Sequence, residues 1–334
     1  MKAMPQVDKP LSELYKYNGT NPRPEDFDEY WDSALLELTR HMSKPEFAPE
    51  FRPSAFTVPG YDFSDLYFDG TGGARIHAKC LFPQQQSAEN GDGTRPAVLM
   101  YHGYSGSAGD WTAMLPFAAA GAVVCAMDVR GQGGTSTDPG GVAGNTLHGH
   151  IIRGLDGAPE DLFYRHVFLD TVALARIVMD FSVVDETRVG TFGGSQGGAL
   201  SFACAALEPR ISRAFGMYPF LCDYQRVWEM DLGQGPYQEL RDYFRRFDPR
   251  HERAEEAFIR LGYIDIQHLA PRICGDVIMA MGLMDEICPP STQMAVYNRI
   301  SANKRLLVYP DFGHEDLPDA KDIALRFLAR LLPE

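Results

Sequence analysis

The amino-acid sequence predicts an α/β protein built on a mostly parallel central sheet with helices on both faces. Three observations carry that prediction. From about Ala74 onward, short β-rich runs alternate with helical patterns. Several of those runs are continuously apolar, as strands buried on both faces must be. One of them, Arg188-Val189-Gly190-Thr191-Phe192, leads through Gly193-Gly194-Ser195-Gln196-Gly197 into a stretch of small apolar residues ending at Leu207. With 334 residues, 45% of them hydrophobic, the chain can bury a large core as one domain over 1–334 with elaborations.

The elements follow in order. Residues 1–50 form an N-terminal extension, where Pro24-Glu25-Asp26-Phe27 sets a proline and an acidic first turn ahead of an amphipathic helix that packs on the main body. Strands are expected at 76–82, 97–101, 123–128, 188–192, 214–218, 276–282 and 305–309. Helices are expected at 110–120, 165–181, 197–207, 292–300 and 320–332. Residues 84–93, rich in Gln, Asn, Asp and Gly, read as a polar hairpin-like loop. Between two core strands, residues 220–269 form a helical insertion with stretches at 237–247 and 252–261. Insertions at such a position commonly cap a site at the strand C-termini, so a lid or a subunit contact is expected.

Composition narrows the function. A formal net charge of −14 argues against nucleic acid and anionic membranes as partners, because phosphate binding draws on clustered Lys and Arg. Met1 to Asp8 hold no continuous apolar stretch, and no later segment is apolar over a bilayer-spanning length, which points to a cytoplasmic protein. Cys80, Cys125, Cys204, Cys222, Cys274 and Cys288 show no C-x-x-C spacing and read as small buried hydrophobes rather than a disulfide framework or a nucleophile.

The glycine-flanked serine reads as a nucleophile elbow, in which a sharp strand-to-helix turn strains the serine backbone and lifts its hydroxyl clear of the sheet. The rival reading is a plain Gly/Ser turn, so partners decide. A serine hydroxyl needs a histidine to take its proton and a carboxylate to hold that histidine. In this architecture the acid follows the nucleophile at the end of a later strand and the histidine comes last. The apolar run from Asp276 ends in Asp285, and the following strand runs into Pro310-Asp311-Phe312-Gly313-His314-Glu315. Ser195, Asp285 and His314 are thus the candidate triad, with Glu286 and Asp311 as competing acids. Asp285 could also serve merely as a cap before Pro289-Pro290. One oxyanion donor is expected from the backbone N–H of Gln196, and the second from Tyr104 in the loop after the strand at 97–101. His148 and His150 form an H-x-H pair for which no third metal ligand is evident, so no metal is assigned.

Assembled in this order, the residues resemble the carbohydrate esterase family of acetyl xylan esterases and cephalosporin C deacetylases, a branch of the α/β-hydrolases. The likeness covers almost the whole chain. It runs through Pro10-Leu11-Ser12-Glu13-Leu14-Tyr15, Asn21-Pro22-Arg23-Pro24, His102-Gly103-Tyr104 and Arg130-Gly131-Gln132-Gly133-Gly134. It continues through Gly149-His150-Ile151-Ile152-Arg153-Gly154-Leu155, Tyr164-Arg165-His166, Gly194-Ser195-Gln196-Gly197-Gly198 and His314-Glu315. The resemblance implies a triad at Ser195, Asp285 and His314, oxyanion amides at Tyr104 and Gln196, and a structural role beside the site for Arg130, Gly131 and Gln132. A guanidinium at a strand end suits that role by organising several loop carbonyls.

The resemblance further implies deacetylation of short acetylated xylo-oligosaccharides and of cephalosporin C, no cofactor, and a ring-like homohexamer whose sites face an internal cavity. Two rivals remain open on the sequence. One is a serine peptidase of the same fold, though no propeller domain is recognisable. The other is a catalytically silent ligand-binding protein, which would be expected to have lost a triad member.

Overall fold

The computed structural model describes residues 7–84, 94–139, 146–231 and 235–329. Its strands are β1 (Glu50–Pro53), β2 (Tyr61–Asp69), β3 (Arg75–Pro83), β4 (Arg95–Tyr101), β5 (Val123–Met127), β6 (Val184–Gly194), β7 (Ile211–Met217), β8 (Asp276–Gly282) and β9 (Lys304–Tyr309). They form one sheet in the order β1-β2-β3-β5-β4-β6-β7-β8-β9. From β5 through β4 to β9 every pairing is parallel, and β1, β2 and β3 join that body as an antiparallel meander. The innermost strands are the apolar runs of the sequence: all of β5 is buried, and β8 is buried after Asp276.

All seven expected strands are present, with bounds shifted by a few residues. β1 and β2 were not expected. Asp62, Asp65 and Asp69 interrupt the apolar pattern of β2, and β1 is exposed along its length, so neither carries a buried-strand signature. The expected helix over 110–120 is instead a 3₁₀ turn, Trp111–Ala113, followed by a short helix, Leu115–Ala119. Pro116 has no N–H to continue a ladder, which ends the earlier turn and starts the later one. Residues 85–93 of the expected hairpin-like loop and 330–332 of the expected last helix lie outside the described residues, as do Met1 to Gln6.

The helix Phe163–Met179 is buried on nearly every side because it lies between the sheet and the N-terminal helix Phe27–Met42. Trp31 of that N-terminal helix stacks on Phe168 at 5.9 Å and donates its indole N–H to the carbonyl of Tyr263 at 3.0 Å. The helix begins at Phe27, later than the Pro24 start that the sequence suggests, with Pro24 in the preceding turn. Upstream, residues 17–21 are strapped to the segment after β7. The buried Asp223 carboxylate accepts the Tyr17 hydroxyl at 2.7 Å and the amides of Thr20 and Asn21 at 3.0 and 2.8 Å. Between β7 and β8 lie the helices Tyr224–Glu229, Gln238–Phe247, Ala254–Gly262 and Ile266–Leu269. Among the described residues no helix is long and apolar enough to cross a membrane.

Just past β5, Arg130 is almost completely buried, as is its partner Asp170 on the helix Phe163–Met179. The two make a bidentate pair at 2.7 and 2.6 Å, and a third guanidinium N–H reaches the carbonyl of Thr71 at 2.8 Å. Arg130 therefore organises one loop carbonyl and a carboxylate, not the several carbonyls expected. Breaking a buried pair strands a charge, whereas replacing both partners by apolar residues does not. Arg130→Met is expected to lower stability by about 3–5 kcal/mol in urea unfolding, and Arg130→Met with Asp170→Leu to recover most of that loss. A double variant no more stable than the single one would contradict this account.

Candidate active site

Ser195 sits between the end of β6 and the helix Gln196–Leu207 with φ of 57° and ψ of −121°, a conformation that an L-residue adopts only under constraint. Two backbone hydrogen bonds supply the constraint. The Ser195 N–H donates to the Met217 carbonyl at 3.0 Å, and its own carbonyl accepts the Phe220 N–H at 3.1 Å. Glycine is required on both sides by close approach. A Cβ on Gly193 would lie 2.4 Å from the Gly197 carbonyl carbon, and one on Gly197 would lie 2.0 Å from the Tyr101 oxygen. The sequence signal for the elbow is therefore steric in origin.

The tips of β8 and β9 deliver the other two groups. Asp285 is fully buried; its Oδ1 accepts the amides of Ile287 and Cys288 at 2.9 and 2.8 Å, and its Oδ2 lies 2.9 Å from His314 Nδ1. On the opposite edge of the imidazole, Nε2 lies 3.0 Å from Ser195 Oγ. A carboxylate only accepts, so Nδ1 carries the proton and the Nε2 lone pair faces the serine hydroxyl. The competing acids Glu286 and Asp311 are both exposed, and neither bonds to the imidazole. Asp285 also caps its own turn through Oδ1, so the capping role and the histidine contact coexist.

Two neighbours of this trio went unseen in the sequence. Tyr218, at the tip of β7, lays its ring 4.5 Å from that of His314. Its only signal was its place at the end of an expected strand. Cys288 is buried with its sulfur, an Asp285 oxygen and a His314 nitrogen all within 4.8 Å of one another. Such a donor set could in principle hold a metal ion. However, burial and the Asp285 charge push the Cys288 thiol well above its ordinary range, and both Asp285 oxygens already accept hydrogen bonds. Cys288 thus fits beside the trio as a neutral filler.

The loop after β4 is held from several directions. His102 Nε2 accepts the Val129 N–H at 3.0 Å, which leaves Nδ1 to donate to the Gly103 carbonyl at 2.7 Å. The Ser105 N–H donates to Gln132 Oε1 at 3.0 Å. Gln132 and Gln196 exchange amide hydrogen bonds at 2.8 and 2.9 Å, and the Tyr164 hydroxyl donates to Gln196 Oε1 at 2.8 Å. The Gln132 and Gln196 side chains therefore tie the loop to the elbow, while Gly131, with φ of 61°, turns the chain between Arg130 and Gln132. Among the described residues neither the Tyr104 nor the Gln196 backbone N–H has an acceptor.

The remaining candidates fall elsewhere. His148 is exposed and His150 fully buried, its Nε2 at 2.6 Å from the Thr146 carbonyl and its ring stacked on Phe163. Among the described residues neither belongs to a group able to hold a metal ion. Cys274 is exposed, contrary to the expectation that all six cysteines are buried; it lies in the short connection entering β8, where no layer covers it.

Gly197→Ala is expected to destabilise the fold by about 1–3 kcal/mol in thermal or urea unfolding, because the new methyl group meets backbone rather than a movable side chain. Unaltered stability would show that the elbow tolerates the extra atom.

The acetyl xylan esterase family model matches residues 4–331. Acetyl xylan esterase 1 from Thermoanaerobacterium sp. JW/SL YS485 is 54% identical and superposes with a TM-score of 0.92 over 98% of this chain and 100% of that one. The acetyl xylan esterase of Paenibacillus sp. R4 is 34% identical, with a TM-score of 0.87 over 97% of this chain and all of that one. The acetyl esterase Axe7A of Xylanibacter ruminicola is 27% identical over 300 residues; the match takes in 87% of this chain but only 63% of that longer protein. The chain therefore belongs to the acetyl xylan esterase family, a family of carboxylic ester hydrolases on the α/β-hydrolase fold.

Proposed function

We propose that this chain is a serine esterase that removes acetyl groups from small acetylated molecules, among them short acetylated xylo-oligosaccharides and cephalosporin C. The observation that carries the proposal is the His314 imidazole, which spans 3.0 Å to Ser195 Oγ on one edge and 2.9 Å to Asp285 on the other. Family membership supports acetyl-ester hydrolysis.

In this scheme Ser195 Oγ attacks the acetyl carbonyl carbon while His314 Nε2 takes its proton. Asp285, buried and accepting two backbone amides, holds the imidazole in place and stabilises the imidazolium. The carbonyl oxygen gains charge and is received by the N–H groups of Tyr104 and Gln196. The imidazolium then protonates the leaving sugar oxygen, leaving an acetyl group on Ser195. Water, deprotonated by the same imidazole, attacks that ester, and the imidazolium returns the proton to Ser195 Oγ as the Oγ–acyl bond breaks and acetate leaves.

The helical insertion at 220–269 is proposed as a wall or lid of this site. A homohexamer enclosing the sites, which rests on the family resemblance, and a cytoplasmic location, which rests on the hydropathy of the sequence, complete the proposal. Light scattering that gives a monomer in solution would remove the hexamer.

Ser195→Ala is expected to cut acetate release from 4-nitrophenyl acetate and acetylated xylobiose by about 10⁴-fold or more. Undiminished release would dismiss the scheme, and cleavage of aminoacyl amides by the unaltered protein would favour a peptidase. With the Tyr104 loop closing a small acyl pocket, the octanoyl ester is expected to react about 10²-fold more slowly than the acetyl ester, measured as kcat/KM. Equal rates would sink the small-pocket account.

A further inference from the structure

Glu239 is a buried carboxylate that the triad scheme does not use. It occupies the second position of the insertion helix Gln238–Phe247, is only 2% exposed, and faces inward with Leu240, Tyr243 and Phe244. Its Oε1 accepts the Tyr104 hydroxyl, and its Oε2 accepts the Ile151 N–H at 2.7 Å. Among the described residues no Lys or Arg pairs with it. Burial pushes its carboxyl above the usual range, and the Tyr104 hydroxyl with the amides of Gly149, Ile151 and Ile152 draws it back only in part.

Burying a carboxylate with no cation is unfavourable unless its oxygens receive strong hydrogen bonds. Here the bonds come from two places that otherwise have no common purpose. One is the Gly149-His150-Ile151-Ile152 segment, a motif without an assignment so far. The other is Tyr104, whose backbone N–H is a candidate oxyanion donor. Around the Tyr104 ring, His150 and Phe220 close edge-on at 5.2 and 5.6 Å. Ring and hydroxyl are therefore fixed together, which leaves the Tyr104 backbone little freedom to turn. On the far side of the same loop, Ser105 is fixed through Gln132.

We propose that Glu239 is a positioning residue: by gripping the Tyr104 side chain from the insertion helix, it holds the Tyr104 backbone N–H aimed at the developing oxyanion. The proposal rests on the Ser195 esterase reading. It makes the insertion part of the transition-state machinery as well as a wall. Since an oxyanion donor acts only when charge develops, loosening it lowers kcat and leaves ground-state binding largely intact.

The test uses the full-length chain with Glu239→Ala, Glu239→Gln and Tyr104→Phe. Each is assayed for kcat and KM on 4-nitrophenyl acetate and for affinity toward an aryl trifluoromethyl ketone, which adds reversibly to the serine and places an oxyanion in the same hole. Removal of an oxyanion donor costs about 10²–10³ in kcat, so misaiming one is expected to cost about 10–10². Glu239→Ala and Tyr104→Phe should show that fall with KM within about threefold, and a matching loss of ketone affinity. Glu239→Gln, which still accepts the Tyr104 hydroxyl, should recover most of both. If Glu239→Ala does not fold, Tyr104→Phe and Glu239→Gln still decide.

A loss confined to KM, kcat within about twofold, or unchanged ketone affinity would overturn the proposal. Failure of the ketone to inhibit the unaltered protein, or full activity of Ser195→Ala, would instead overturn the esterase reading beneath it.

Discussion

The structure turns on one strained residue. Ser195 holds a positive φ in a conformation that costs of order 1–3 kcal/mol for a non-glycine residue, so the surroundings must over-determine it. They do so by continuing the hydrogen bonding of the sheet past its edge: the Met217 carbonyl accepts the Ser195 N–H, and the Phe220 N–H donates to the Ser195 carbonyl. The segment after β7 is itself bent, with positive φ at Tyr218, Leu221 and Asp223. That bend is pinned by Ala280 on β8 and by the N-terminal strap on Asp223. Strain at the serine is thus shared among three neighbouring strands and a distant stretch of chain.

Strand order then determines who meets the serine. β6, β7, β8 and β9 are sequential neighbours and all parallel, so their C-terminal tips line one edge of the sheet. A residue just beyond β8 and another just beyond β9 arrive side by side although 29 positions separate them, and the histidine reaches a serine 119 positions upstream. No loop has to find its partner; the register places it. This is the physical content of the rule that ligands gather at the carboxyl ends of parallel strands.

That logic also explains what the sequence disclosed. Strands that are apolar on both faces, and a turn in which only glycine fits, leave compositional marks, so β3 to β9 and the Ser195 elbow were legible. Asp285 and His314 were legible because each follows directly on a readable strand. β1 was hidden by its full exposure and β2 by the acidic residues that interrupt its apolar pattern. Tyr218, Cys288 and Glu239 were hidden for another reason: their roles depend on which neighbours the fold brings near, and nothing in their local sequence states that. Arg130 was read as a structural residue, but its chief partner, Asp170, lies on a helix whose inward face could be read only from coordinates.

Around the trio, the loop after β4 shows how an irregular segment is made rigid without secondary structure of its own. His102 is locked to Val129 and Gly103, Ser105 to Gln132, and the Tyr104 hydroxyl to Glu239. The outside anchors come from two separate parts of the chain, the segment after β5 and the insertion helix, so no single local fluctuation frees the loop. Donors fixed before charge appears need no reorganisation when it does, and in a site shielded from water that preorganisation is worth far more than the same bonds at a surface. The reciprocal amide pair between Gln132 and Gln196 adds a further constraint, since it links the residue after the nucleophile to the Gln132 side chain that holds the Ser105 N–H. A shift of the loop away from Gln132 must therefore break the Ser105 contact through which it is linked to the elbow.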